Sequence, residues 1–292
     1  MARRATTADV LGARALNRAL LARQMLLQRS ERTPADAVGF LLGLQAQVPI
    51  DPYIALWSRL AHFDPLALSS LLETRKAVRI VVMRGTLHLV GADDALMLRA
   101  LVQPALTRTL AATAFGKDTR GVDVDALAKV GRKAVEKTPL TLAELRPILG
   151  AAFPGFNETS LSYAFHYRTP LVQVPPRALW RQSGAPRVTT AEHWLGKSRV
   201  KPSIERVILR YLAAFGPASV MDAQAWSGLT KLAPVFEALR PNLVTFRDES
   251  GRELFDVSDG PRPDPDTGAP PRFLPAYDNA TLAYAARERI IV

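Results

Sequence analysis

The chain has 292 residues, 48% of them hydrophobic and 22% charged, enough to bury more than one core and too apolar to be disordered. It has no cysteine, which excludes disulfide staples and cysteine zinc sites, and its four histidines (His62, His88, His166, His193) are too scattered to suggest a metal cluster. Lys and Arg total 38 against 27 Asp and Glu, a formal charge of +11 dominated by arginine, the footprint of a polyanion binder with nucleic acid foremost.

The opening MARRATTADV lacks the apolar core of a signal peptide, and no apolar run approaches the roughly 20 residues of a membrane span, so a soluble cytoplasmic protein without membrane contact is expected. From about Thr7 to Arg29, Ala13, Leu16, Leu20 and Leu27 follow helical spacing, with Arg14 and Arg18 on another face, either solvated or touching phosphate. Thr33-Pro34 reads as cap and first residue of a helix ending near Leu44. The stretch that follows, LGLQAQVP, carries two amides, Gln45 and Gln47, around one alanine. On a helix they would diverge; on an extended segment, which Pro49 favours, both side chains project to one face. Two readings stand: an exposed shelf of converging carboxamides, or a helix end whose glutamines meet water. Asp51-Pro52 and Asp64-Pro65 start two further helices, and VRIVVMRGTLHLV then gives a strand pair around Arg84-Gly85.

That order, helices followed by a hairpin, recurs. A helix from Ala92 to Thr109, disturbed at Pro104, leads to a glycine-flanked linker, Gly116 to Gly121. Val124 to Lys137, a capping box at Thr141 and Glu144, and Asn157 to Tyr167 make the next helices, with LVQVPP and RVTT as wing-like strands. After a boundary near Lys197 to Pro202, Ile204, Val207, Ile208, Tyr211, Leu212 and Phe215 form an amphipathic stripe. Ser219 and Thr230 read as caps, and LVTF and ELFDV flank a turn. The expectation is a mainly α fold with small β-hairpins (α+β), three tandem winged helix-turn-helix units at 1–118, 119–199 and 200–292. The last unit is either abbreviated or followed by more chain, since the sequence ends on an apolar run with no evident strand partner.

Taken together and in this order, LGLQAQVP, ALWSRL, MRGTLHLVGADD and FLPAYDN resemble the AlkZ/YcaQ-type DNA glycosylases, over nearly the whole chain. The resemblance implies tandem winged helices forming a concave basic surface for double-stranded DNA. It also implies a catalytic glutamine pair, Gln45 and Gln47, in the Gln-x-Gln form of the branch acting on bulky alkylated guanines and crosslinks. It sets the RGTLHL strand beside the glutamines, which makes Arg84 a phosphate candidate and His88 a DNA or water contact, with Thr86 on the same face; the alternative for His88 is a satisfied histidine inside the hairpin. Tyr277, Asp278 and Asn279 either join the concave wall or shape a turn. Asp93 and Asp94 fit a helix N-terminus. Arg168, with Tyr163 and His166, occupies the second unit's recognition helix, where DNA contact competes with core packing of Tyr163.

The chemistry follows from the substrate. A purine alkylated at N7 is cationic, so its glycosidic bond breaks without a proton donor. What remains is to stabilise an oxocarbenium-like sugar and deliver water, for which amide dipoles suffice and no cofactor is needed. The expected partner is DNA containing alkylated purines, engaged shallowly by a nucleoid-associated monomer. The competing readings are a winged-helix regulator and a lesion-binding protein, neither doing chemistry.

Overall fold

The computed structural model describes residues 9–196, 200–287 and 289–290. Among these, eight strands form two small sheets set among helices: β1 (Val10–Leu11), β2 (Leu44–Gln45), β3 (Ala77–Val81), β4 (Leu87–Gly91), β5 (Leu171–Gln173), β6 (Val188–Thr190), β7 (Val244–Asp248) and β8 (Glu253–Asp256). The mixed α+β class expected from the sequence is the one observed. One sheet has the order β1-β7-β8, with β1 parallel to β7. The other, β2-β4-β3-β5-β6, joins the hairpin near Arg84 to the pair at 171–190 through β3 and β5. No sequence signal announces that pairing, because antiparallel partners 92 and 94 residues apart, Ile80 with Val172 and Arg79 with Gln173, leave no local trace.

The cores follow the sheets. The largest packs Ile80 and Val90 of the hairpin and Leu98 and Leu106 of the Ala92–Ala112 helix against Ile208, Tyr211, Phe215 and Trp226. A second surrounds Tyr53, Leu56 and Leu89, and a third joins the Val124–Lys137, Leu142–Ala152 and Glu158–Arg168 helices around Leu145, Leu161 and Phe165. Gly131 lets the first of those helices approach the last, since a Cβ there would lie 2.4 Å from the Phe165 ring.

Several elements differ from expectation for identifiable reasons. The first helix is Ala13–Arg23 rather than Thr7 to Arg29; Thr7 lies outside the described residues, and Val10–Leu11 is drawn into a sheet. Arg14 and Arg18 donate to the carbonyls of Pro265 and Thr267, holding the proline-rich loop. The next helix stops at Phe40, because Leu42 and Gly43 turn left-handed (φ 57° and 101°) and the chain re-emerges extended as β2. The predicted linker at 116–121 overlaps the end of the Ala114–Asp118 helix, and neither Pro104 nor Pro147 ends the helix containing it. Ser219 caps its helix in a capping box with Asp222, whereas Thr230 caps nothing: that helix starts at Ala233. The predicted boundary at Lys197 and the final apolar run fall partly outside the described residues.

The FLPAYDN segment is anchored by a buried ion pair. Both oxygens of Asp278 accept from Arg59, at 2.7 and 2.8 Å, with the two side chains 1% and 2% exposed. Asp278 also caps the short Asn279–Leu282 helix, accepting from the Ala280 N–H. It shapes a turn and ties that turn to the Asp51–Arg59 helix. Removing one partner of a buried pair strands the other's charge, so Asp278→Ala should lower the unfolding free energy by ~3–5 kcal/mol in urea denaturation. A loss within the ~0.5 kcal/mol typical of surface substitutions would contradict this anchoring.

Candidate active site

Gln45 ends the short edge strand β2, opposite His88 of β4. It is 6% exposed, not on an open shelf as expected. Its Oε1 accepts from Arg84 Nη2 at 3.0 Å, and the same nitrogen donates to Asn279 Oδ1 at 2.9 Å. Arg84 Nη1 donates to the Trp226 carbonyl at 2.8 Å, and Asn279 Nδ2 donates to the Gly43 carbonyl at 3.3 Å. One guanidinium thus gathers three acceptors from distant parts of the sequence. Burial, and then the charge of Arg287, push Arg84 down to about 10, so it stays charged at neutral pH.

The intervening residue is also fixed. The Ala46 N–H donates to the Leu87 carbonyl at 2.8 Å, and its own carbonyl accepts from Arg79 Nη2 at 2.6 Å. Arg79, 1% exposed in β3, donates its other nitrogen to Gln173 Oε1 at 2.7 Å. Gln47 emerges on the surface, and its carboxamide has no intramolecular partner among the described residues. Of the two amides, one is clamped through its oxygen and the other is free to meet solvent or substrate.

Three expectations for the hairpin need correction. Arg84, Thr86 and His88 do not alternate along one strand face: Arg84 and Gly85 sit in a turn with φ 56° and 70°, and β4 begins at Leu87. Arg84 is not a phosphate hand, because its guanidinium is committed to internal acceptors. His88 is 0% exposed and so is not a DNA contact. Its Nδ1–H donates to the Thr86 carbonyl at 3.0 Å, while the half-buried Thr86 hydroxyl donates to the Met83 carbonyl. Burial, then Arg84, push His88 down to about 3, against weaker help from the Thr86 carbonyl and the Asn279 side chain. Asn279 is 4% exposed and serves as a bracket for Arg84, not as open wall. Tyr277 is 46% exposed, and Arg168 is exposed at its helix end.

A cleft of about 620 Å³ opens beside Gln47, bordered by Val81 and Leu87 on one side and by Tyr163, His166 and Gln173 on the other. Tyr163, stacked on Phe115 at 4.1 Å, is the one phenol or phenyl ring among its lining residues. A larger hollow of about 780 Å³ between residues 22–32 and the 257–268 loop borders neither glutamine. Arg79 and the cleft were missed by sequence reasoning; a lone arginine within the apolar run VRIVV was the available signal.

Burial and then Arg99 push His166 down to about 4, so both His88 and His166 are neutral when folded and titrate near 6.5 when unfolded. Below 6.5 the unfolded chain therefore binds more protons, and stability rises with pH across that window. Denaturation midpoints should hold level above about pH 7 and fall below about 6.5. In His88→Gln the slope between about pH 6.5 and 5 should be shallower, and an unchanged slope would contradict the neutral buried imidazole.

A family model described as DNA glycosylase AlkZ-like matches residues 38–292. The interstrand DNA cross-link repair glycosylase of Streptomyces sahachiroi is 26% identical over 250 residues, covering 80% of this chain and 64% of that protein. The chain therefore spans less than two thirds of that relative's length. The structure of Streptomyces sahachiroi DNA glycosylase AlkZ is similar in fold, with a TM-score of 0.66 at 21% identity over 86% of this chain and 71% of that one. With the match extending from the helix before Gln45 to the last residue, the chain belongs to the AlkZ-like DNA glycosylase family.

Proposed function

We propose that the protein is a monofunctional DNA glycosylase that hydrolyses the N-glycosidic bond of N7-alkylated purines, bulky or crosslinked adducts included, in double-stranded DNA. The observation that carries this reading is the unequal state of the two amides: Gln45 held by Arg84 through its oxygen, Gln47 exposed and without a partner among the described residues. Family membership and the charge of +11 support DNA as the partner. We read the chain as three winged-helix units, 1–118, 119–199 and 200–292, forming a concave surface on which exposed Arg168 and Tyr277 touch DNA, and the protein as a monomer working on cytoplasmic, nucleoid DNA.

In this mechanism the C1′–N9 bond breaks first, its electron pair neutralising the cationic purine. Water then attacks C1′ and loses its proton to solvent. Gln47 Oε1, with both lone pairs free, accepts from that water and turns its dipole toward the sugar cation. Gln45, whose oxygen already serves Arg84, is held in one orientation and fixes the water's place. Neither amide is a strong base, so neutral undamaged purines are poor substrates.

Incubating the protein with N7-methylguanine duplex and scoring alkali-labile abasic sites tests the activity; absence of such sites would overturn it. Gln47→Ala should slow single-turnover excision by ~10²–10³-fold, the usual cost of removing one preorganised polar group, while DNA affinity changes little. A Gln45→Ala/Gln47→Ala protein that excised at the wild-type rate would rule out the amide mechanism.

A further inference from the structure

Three large apolar side chains, Val48, Ile50 and Trp57, stand exposed within ten residues of Gln47. Single apolar residues on a surface need no explanation, but a contiguous group does. Ile50, Tyr53, Ile54 and Trp57 fall at i, i+3, i+4 and i+7 along the Asp51–Arg59 helix and share one of its faces. Rather than closing into a core, that face opens at Ile50 and Trp57 into a second cleft of about 460 Å³. Its far side is Phe63 and Trp180, the latter from the segment between β5 and β6.

The walls are fixed in advance of any occupant. Trp180 leans on Tyr53 with 5.2 Å between ring centroids, and its backbone N–H donates to Ser69 Oγ at 2.8 Å. The Tyr53 hydroxyl donates to the Ala178 carbonyl at 2.8 Å and meets the same Ser69 oxygen at 2.9 Å. Ala178 and Arg181, which bracket Trp180, are left-handed at φ 70° and 57°, a strain that residues other than glycine keep mostly at ligand sites. With Tyr53 committed, the lining has no carboxylate, carboxamide or free hydroxyl to read a partner's edge. It offers flat apolar faces.

The rim is cationic. Arg29 lies over the Trp57 ring at 5.1 Å and Arg181 over the Trp180 ring at 5.8 Å, and neither pairs with a carboxylate among the described residues. Indole walls under two such cations are complementary to a nucleotide, whose base stacks on the rings and whose phosphate meets the guanidinium groups. The position fits as well. Ile50 is three residues from Gln47, so their Cα atoms are at most ~11 Å apart. A strand of DNA advances ~3.4 Å per nucleotide, so a sugar at Gln47 leaves the cleft roughly three nucleotides away or fewer.

We propose that this cleft receives an unstacked, undamaged nucleobase from close to the lesion, on either strand, held between Trp57 and Trp180. Its placement beside the lesion rests on the glycosylase reading; the base site itself does not. Drawing a neighbouring base from the stack lets the duplex bend toward the protein. Since nothing in the lining reads a base edge, the site takes any of the four bases.

Kd is measured by fluorescence anisotropy for wild type, Trp57→Ala and Trp57→Phe on a duplex with N7-methyl-2′-fluoroguanine, whose fluorine destabilises the sugar cation and keeps the lesion intact. Trp57 is 47% exposed, so both variants should keep wild-type circular dichroism. Trp57→Ala should weaken binding ~10-fold, the loss of one stacked base, and Trp57→Phe should recover most of it. Tetrahydrofuran then replaces, one at a time, each nucleotide within about three of the lesion on both strands. At one position the Trp57→Ala penalty should collapse below ~2-fold, because the base that stacked there is gone. A penalty below ~2-fold on the intact duplex overturns the proposal and gives the cleft to a partner other than DNA. A penalty that no base removal relieves also overturns it, making Trp57 a support for the fold. Abasic sites from the unfluorinated duplex score the glycosylase reading separately. The coupling without such sites overturns hydrolysis and keeps the base site; such sites without the coupling do the reverse.

Discussion

A single guanidinium, that of Arg84, connects the parts on which the site depends. Its three acceptors, Gln45 Oε1, the Trp226 carbonyl and Asn279 Oδ1, come from the beginning, the later helices and the C-terminal segment of the sequence. A largely buried cation tolerates no loose partners, because each unmet donor keeps its desolvation cost. Gln45 therefore acquires its orientation only when Trp226 and Asn279 are in place. The left-handed backbone at Arg84 is part of this arrangement, with Gly228 packed so closely that its Cβ would meet Arg84 backbone at 3.3 Å. Through Asp278 and Arg59 the same segment is tied to the helix that follows the glutamine motif.

This division of labour recasts the meaning of the chain's charge. A surplus of +11 suggests a uniformly basic surface, but several arginines are internal. Arg59 is buried against Asp278, and Arg23 is buried against Asp256, which Arg262 also pairs. Arg79, Arg84 and Arg99 are held largely by neutral amides and carbonyls, so their charge is not cancelled locally. Two of these three grip the glutamine motif or its backbone. They give the site positive potential from within, which suits a polyanion whose phosphates flank the reacting sugar.

How much of this the sequence disclosed depended on range. Capping at Thr33, Asp64, Thr141 and Ser219 and the hairpin around Arg84-Gly85 were readable, because each rests on neighbours within a few residues, whereas the expected extended run up to Pro49 ends at Gln45 and bends at Gln47 and Val48. The ends of elements set by distant partners were not: β1 exists because β7 lies beside it, and the five-stranded sheet because β3 meets β5. The same limit governed the site. Spacing alone left the glutamines open between a shelf and a helix end, and only the family resemblance singled them out; the burial of His88 and the commitment of Arg84 follow from Asn279, 195 residues from Arg84. An arginine in a basic protein reads as a phosphate hand until its acceptors are seen.

The central claim is that Arg84 acts through Gln45, and a double-mutant cycle tests it most directly. Single-turnover excision of N7-methylguanine would be compared for wild type, Arg84→Met, Gln45→Ala and the double variant, in proteins with wild-type circular dichroism. The account predicts that Arg84→Met slows a chain with Gln45 by ~10-fold or more, yet has little further effect once Gln45 is alanine, a coupling within the ~0.5–3 kcal/mol seen for contacting residues. Independent, multiplicative effects of the two substitutions would contradict it.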